Sequence, residues 1–343
     1  MSAKISLPPK LNLALLPTRI ERLARVSERV NREIYIKRDD LTEAAGSGNK
    51  IRKLEFLLKA ALEAGADTLV TCGGLQSNHC RATALLGRRL GLSSVLILRG
   101  SPQEPLEGNF LLDRLLGAEV VYVTAEEYER RVEIFEEIAS RLRAEGKKPY
   151  LIPEGGSNAL GASGYIAMVE ELLEQMSQQN LSFDSILCPV GSGGTLAGLL
   201  MGKYLYGLSA EVFGVDVEGD APYFVSQVDA IIREARETLG FPVEVPVQAI
   251  HILEGYEGLG YAKSTPQEMS FIAEVAQQEG IILDPVYTAK TFRGLMEEVS
   301  GKGERDERLG RRILFLHTGG IFGLFPQRRL LETALLGEVA QKS

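Results

Sequence analysis

The feature that most constrains this chain is a recurring one: short unbroken apolar runs alternate with amphipathic helical stretches. Thr68-Leu69-Val70-Thr71-Cys72, Ser94-Val95-Leu96-Ile97-Leu98, Glu119-Val120-Val121-Tyr122-Val123 and Ser185-Ile186-Leu187-Cys188-Pro189-Val190 are such runs. Val212-Phe213-Gly214-Val215-Asp216 and Arg312-Ile313-Leu314-Phe315-Leu316 extend the set. Glu33-Ile34-Tyr35-Ile36-Lys37-Arg38 and Pro149-Tyr150-Leu151-Ile152 are shorter examples. Helical patterns fall between them, near 78–90, 110–116, 126–145 and 164–178. A strand that is apolar on both faces must be covered on both faces, and helices returning between such strands make the sheet parallel. The expected fold is α/β with parallel sheets. At 343 residues there is room for two ordinary domains or one large one. The polar stretch from Ser300 to Glu307 reads as an exposed loop.

In a parallel sheet, chemistry gathers at the carboxyl ends of the strands. Three glycine-rich turns stand there. Gly191-Ser192-Gly193-Gly194-Thr195 follows a strand and opens a helix. Backbone N–H groups, two hydroxyls and a helix dipole suit a phosphate monoester there, although such a turn also occurs without a ligand. It is neither a Walker motif nor a complete G-x-G-x-x-G fingerprint. Gly73-Gly74-Leu75-Gln76-Ser77-Asn78-His79 offers four hydrogen-bonding side chains where one helix cap would suffice. The third turn is His317-Thr318-Gly319-Gly320. Tyr261 and Tyr287 each sit beside a further turn.

One lysine stands out by position. Gly46-Ser47-Gly48-Asn49-Lys50 makes a tight bend, and apolar residues at Leu54, Leu57, Leu58, Ala61 and Leu62 predict a helix from Lys50 onward. The positive end of a helix dipole disfavours an ammonium, and a free amine is what a Schiff base needs.

Composition narrows the classes. A net charge of -8 argues against wide contact with nucleic acid or anionic membrane. No apolar run has the length of a bilayer span, and residues 1–9 lack the apolar core of a signal peptide. Cys72, Cys80 and Cys188 form no CxxC, and His79, His251 and His317 have no metal-ligand spacing. A reduced, cytoplasmic protein without a metal is expected.

Taken together, the lysine at a helix start, the phosphate-type loop, the Ser-Asn turn and the late His-Thr-Gly-Gly turn resemble the tryptophan synthase β-like family, the fold type II pyridoxal-phosphate enzymes. The closer resemblance is to the branch holding D-cysteine desulfhydrase and 1-aminocyclopropane-1-carboxylate (ACC) deaminase, and it runs from Leu16-Pro17-Thr18 and Lys37-Arg38-Asp39-Asp40 to His317–Gly320. The resemblance implies pyridoxal 5'-phosphate as cofactor, with Lys50 as its covalent anchor. Gly191, Ser192, Gly193, Gly194 and Thr195 would bind the phosphate, with Lys53 close to it. Asn78 would lie beside the phenolic oxygen, and Ser77, Tyr261 and Tyr287 are catalytic candidates near a small amino-acid substrate. It also implies a large domain from residues 1–51 and 166–343, a small domain inserted at 52–165, and commonly a homodimer.

Two positions discriminate within the branch. ACC deaminases resemble this chain but carry glutamate after the Tyr287 position and leucine at the Thr318 position. Thr288 and Thr318 stand there instead, which looks like the desulfhydrase pattern, and the resemblance implies that both hydroxyls contact the cofactor. The expected reaction is elimination of sulfide from D-cysteine, giving pyruvate and ammonia. Lys50 would take the Cα proton, Tyr261 or Tyr287 would protonate the leaving sulfur, and Ser77 would bind the substrate carboxylate or assist proton transfer. The alternatives are ACC deaminase, an L-cysteate sulfo-lyase and, from another class, a non-catalytic pyridoxal-phosphate or amino-acid binder.

Overall fold

The computed structural model describes residues 6–300 and 307–336. Among the described residues, ten strands form two sheets. They are β1 Ile20–Arg22, β2 Glu33–Lys37, β3 Thr68–Gly74, β4 Ser93–Arg99, β5 Glu119–Val123, β6 Pro149–Leu151, β7 Ser185–Val190, β8 Glu211–Asp216, β9 His251–Leu253 and β10 Arg312–Leu316. The larger sheet has the order β1-β2-β10-β7-β8-β9, and the smaller β5-β4-β3-β6. Every pairing is parallel except β1 with β2.

Burial explains the larger sheet. Along β7, Ile186, Cys188 and Val190 enter one core with the helices Ala159–Gln179 and Gly194–Tyr206. Leu187, between them, faces the opposite core with Phe213, Val215, Ile313 and Phe315. Successive strand residues point to opposite faces, so an unbroken apolar run is what a sheet covered on both sides demands. The smaller sheet repeats the arrangement. Leu69 packs with the helices Lys50–Glu63 and Asn78–Arg89, while Val70, Cys72, Val95 and Ile97 pack with Phe135, Ile138 and Leu142.

The smaller sheet lies within the sequence between β2 and β7 of the larger one. The expected insert limits, 52 and 165, fall inside the helices Lys50–Glu63 and Ala159–Gln179. Those two helices pack together, and a buried ionic network joins them. The Arg52 guanidinium donates to Asp39 at 2.8 and 2.9 Å and to Glu171 at 2.8 and 3.0 Å. Tyr165 donates to Asp39 at 2.7 Å, and Lys37 pairs with Glu171. Burial raises the Asp39 carboxyl, but Arg52 and Lys37 more than reverse this and hold it below the usual range. Breaking one partner of such a network leaves a buried charge uncompensated, which costs about 3–5 kcal/mol. The first turn after Lys50 is thereby locked to the end of β2.

Several elements differ from the sequence expectation. The single helix expected over 126–145 is two, Ala125–Glu129 and Arg131–Ala144, because Arg130 leaves helical geometry at φ −94, ψ 23. The break turns Tyr128 inward, where its hydroxyl reaches the Cys72 sulfur at 3.3 Å. The helix expected from Gly164 begins at Ala159, where the Asn158 side chain accepts from the Gly161 N–H at 2.9 Å. Glycines 161 and 164 masked that start, because glycine lowers local helix propensity. Within the expected loop 300–307, residues 301–306 lie outside the described residues.

Candidate active site

The bend before Lys50 is built by close approach. Gly48 has φ +108, and a Cβ there would lie 2.6 Å from the Thr318 carbonyl oxygen. Only glycine fits such a position. The Asn49 N–H donates to the same carbonyl at 3.1 Å, and the Thr42 hydroxyl brackets Gly48 on both sides. Two turns separated by some 270 residues in sequence are thus seated on each other, as the loop-to-loop hydrogen bonds and glycine contact require. Lys50 is the first residue of its helix and half-buried at a cleft wall. Burial pulls its ammonium from the ordinary 10.5 down to about 8, against the upward pull of Glu154, Cys80 and Glu218.

This shift has a measurable consequence. At pH 7 roughly a tenth of Lys50 is a neutral amine, some 300-fold more than for a free lysine. The rate at which the cofactor-free protein takes up pyridoxal phosphate covalently should rise with pH and level off just above pH 8. A rate still climbing steeply at pH 10 would show that Lys50 is an ordinary lysine.

The Gly191–Gly193 turn leads from β7 into the helix Gly194–Tyr206. Hydroxyls gather beside it: the Ser192 and Ser157 oxygens are 2.8 Å apart, and Thr195 accepts from the Asn49 amide at 3.1 Å. Lys53 lies behind the turn, 1% exposed, and donates to the Gly155 carbonyl and the Ser157 hydroxyl, each at 3.2 Å. Among the described residues its ammonium meets no carboxylate, and burial with the nearby Lys50 drives its pKa well below 10.5. A buried amine that a bound anion would keep protonated, convergent hydroxyls and a helix N-terminus are the donor set that fits a phosphate dianion.

At the end of β3, Ser77 caps the helix Asn78–Arg89, accepting from the Cys80 N–H at 3.2 Å. Opposite the glycine turn, the Tyr287 hydroxyl donates to that of Tyr261 at 3.2 Å, with the rings edge-on at 6.0 Å. Burial raises both phenols, so each keeps its proton at neutral pH. The Tyr261 loop is pinned by Lys290, whose buried ammonium donates to the Glu257 and Gly260 carbonyls at 2.6 Å and to Val217 at 3.3 Å.

Residues at strand ends of both sheets line a cleft of about 830 Å³. Lys50, Ser77, Asn78, Gly191, Ser192, Gly193, Thr195, Tyr261, Tyr287 and Thr318 all line it. Lys53 and Gly194 stand immediately behind its wall. Thr288 does not line it: its hydroxyl bonds to the buried Asp284 carboxylate at 2.7 Å, so the expected cofactor contact is turned away from the cleft. Sequence reasoning missed Arg99, Tyr128, Glu154 and Glu218, which also line the cleft. The Arg99 guanidinium lies 5.4 Å from the Tyr261 ring and 5.3 Å from the Tyr128 ring. Burial, reinforced by Glu154, pushes Glu218 up to about 7. Arg99 ends β4 and Tyr128 lies within the helix Ala125–Glu129, with no polar motif beside either, whereas Glu154 and Glu218 each precede a positive-φ glycine, Gly155 and Gly219, which is the signal that could have found them. Among the described residues, no cluster of three His, Cys, Asp or Glu residues is placed to hold a metal, and no helix is long and apolar enough to cross a membrane.

Two sheets, parallel but for the edge strand β1, meeting at a lysine-bearing cleft whose glycine turn has donors that fit a phosphate define a class of cofactor-dependent enzyme, and the family model described as "Pyridoxal-phosphate dependent enzyme" matches residues 11–319. The chain belongs to that family, and its cofactor is pyridoxal phosphate. More narrowly, it is similar to relatives named for two lyase activities. It is 49% identical to a putative ACC deaminase of Thermotoga maritima over 94% of this chain and 99% of that one. It is 43% identical to a bifunctional D-cysteine desulfhydrase/ACC deaminase of Arabidopsis thaliana, described as mitochondrial, over 92% of this chain and 79% of that one. A crystal structure of an ACC deaminase homologue, 41% identical, superposes with a TM-score of 0.87 over 95% of this chain and 96% of that one.

Proposed function

We propose that the protein is a D-cysteine desulfhydrase, converting D-cysteine and water to pyruvate, ammonia and hydrogen sulfide. The observation that carries this reading is the pair of protonated phenols, Tyr261 and Tyr287, on the wall of the cleft that Lys50 enters. Expelling sulfur from Cβ requires a base at Cα and an acid at the leaving group, and the cleft supplies both types. Lys50 and the Gly191–Thr195 turn would hold pyridoxal phosphate, which would supply the electron sink that acidifies the substrate Cα–H. Lys50, freed as an amine when substrate binds, accepts the Cα proton. The released electron pair forms the Cα–Cβ double bond as the Cβ–S bond breaks. Tyr287, coupled to Tyr261, gives the departing hydrosulfide its proton. The enamine product then takes up water and splits into pyruvate and ammonia. Ser77 sits at the helix start facing the same cleft, and we assign it to the substrate carboxylate.

Thr318 supports this choice over ring opening. It presents a neutral, cleft-lining side chain where ACC deaminases carry leucine. Ring opening of ACC is the second reading, favoured by the names of the relatives. We place the enzyme in the cytoplasm as a homodimer.

Assaying pyruvate from D-cysteine, L-cysteine and L-cysteate beside 2-oxobutyrate from ACC decides between them. D-cysteine should lead ACC by roughly tenfold or more in kcat/KM, a difference of about 1.4 kcal/mol. Thr318→Leu should lower the D-cysteine value by about as much and raise that for ACC. Wild-type preference for ACC would establish the second reading.

A further inference from the structure

We propose that Asn109 is a positioning residue that fixes which end of the Asn78 amide faces the cleft. The two ends of an asparagine amide have nearly the same shape, so hydrogen-bond partners determine which way it points. Here the direction is set by groups that allow one role only. Arg81 can only donate, and its Nε donates to Asn109 Oδ1 at 2.6 Å. A backbone carbonyl can only accept, and the Gln76 carbonyl accepts from Asn109 Nδ2 at 2.8 Å. Both constraints give Asn109 the same orientation. Its Nδ2 then also donates to Asn78 Oδ1 at 3.0 Å. The Asn78 oxygen is therefore taken, and its Nδ2, which has no hydrogen bond among the described residues, is the end left at the cleft.

The relay is built to hold. Arg81 and Asn109 are each 0% exposed. Arg81 Nη2 donates to the Ser47 carbonyl at 3.0 Å, and Nη1 donates to the Ala45 carbonyl, so the same guanidinium grips the bend that presents Lys50. The Asn109 N–H donates to Gln76 Oε1 at 2.9 Å, fixing the start of the helix Gly108–Leu115. An N–H donor at the Asn78 position suits an anionic oxygen, and the proposal rests on the reading that places Asn78 beside the cofactor's phenolic oxygen.

The test compares wild type, Asn109→Asp and Asn78→Ala as holoenzymes. Aspartate keeps the shape of Asn109 and still accepts from Arg81, yet has no donor for Asn78. The Asn78 amide then turns over and presents oxygen to oxygen. The readout is the absorbance of the lysine-bound cofactor titrated against pH. A donor on the phenolic oxygen draws off charge that otherwise holds the Schiff-base proton, so losing the donor raises the titration midpoint. Both variants should raise it by about one pH unit or more. A midpoint that moves in Asn78→Ala but not in Asn109→Asp overturns the positioning role and leaves the placement of Asn78 intact. A midpoint unmoved in both overturns the placement and the proposal together. Lowered thermal stability with an unmoved midpoint marks Asn109 as merely structural, which also overturns it. If Asn109→Asp does not fold, Asn109→Ala, which removes the partner of Asn78 without burying a charge, should raise the midpoint by less, and an unmoved midpoint there overturns the proposal.

Discussion

Lys50→Ala should lower kcat/KM by roughly a thousandfold or more, a loss of about 4 kcal/mol of transition-state stabilisation. Two functions disappear with one side chain: the covalent anchor for the cofactor and the amine that accepts the Cα proton. The structure explains why no neighbour substitutes. Lys53, the nearest other lysine on that helix, stands behind the glycine turn with its ammonium turned to Gly155 and Ser157. Lys290, which does not line the cleft, is committed to three carbonyls under the Tyr261 loop. Borohydride reduction of the holoenzyme followed by peptide mapping checks the anchor directly. Label on Lys50 alone is the expected result, and label on Lys53 or Lys290 would move the assignment.

Gly194→Val should weaken pyridoxal phosphate binding by roughly a hundredfold, about 2.7 kcal/mol, while slowing the saturated enzyme far less. A Cβ at Gly194 would lie 2.6 Å from the Ser157 hydroxyl and 2.9 Å from both the Ser157 Cα and the Lys53 ammonium. Real Cβ atoms do not come that close, so Ser157 and Lys53 must withdraw from the cradle. They are the groups we assign to the phosphate, which is why affinity should suffer more than chemistry. Cofactor titration of the folded apoprotein measures the effect. Unchanged affinity would mean that the phosphate is held elsewhere in the cleft.

The site was legible in the sequence where its residues are contiguous and chemically unusual. Gly48-Asn49-Lys50, Ser77-Asn78 and Gly191–Thr195 each combine a turn with hydrogen-bonding groups, and local backbone rules place such segments at strand ends. All three open onto one cleft. Thr288 shows the limit of this reading. Its neighbour Tyr287 faces the cleft, but at the start of a helix adjacent residues point in different directions, and Asp284 four residues earlier captures the hydroxyl.

What the sequence by itself determined is the alternation that makes two parallel sheets, the family, and the identity of the residues at the strand ends. These follow from periodicity and from short motifs, which act within a few residues. Only the tertiary structure decided how those motifs are held. Arg81 orients Asn109 across 28 residues, Lys290 pins the Tyr261 loop, and Arg52 ties the Lys50 helix to Glu171 across 119 residues. Arg99 at the end of β4 and Glu218 just past β8 meet in the cleft because the two sheets pack there. Burial in that cleft lowers Lys50 and raises the two phenols, and burial is a property of packed neighbours that the linear order of residues does not carry.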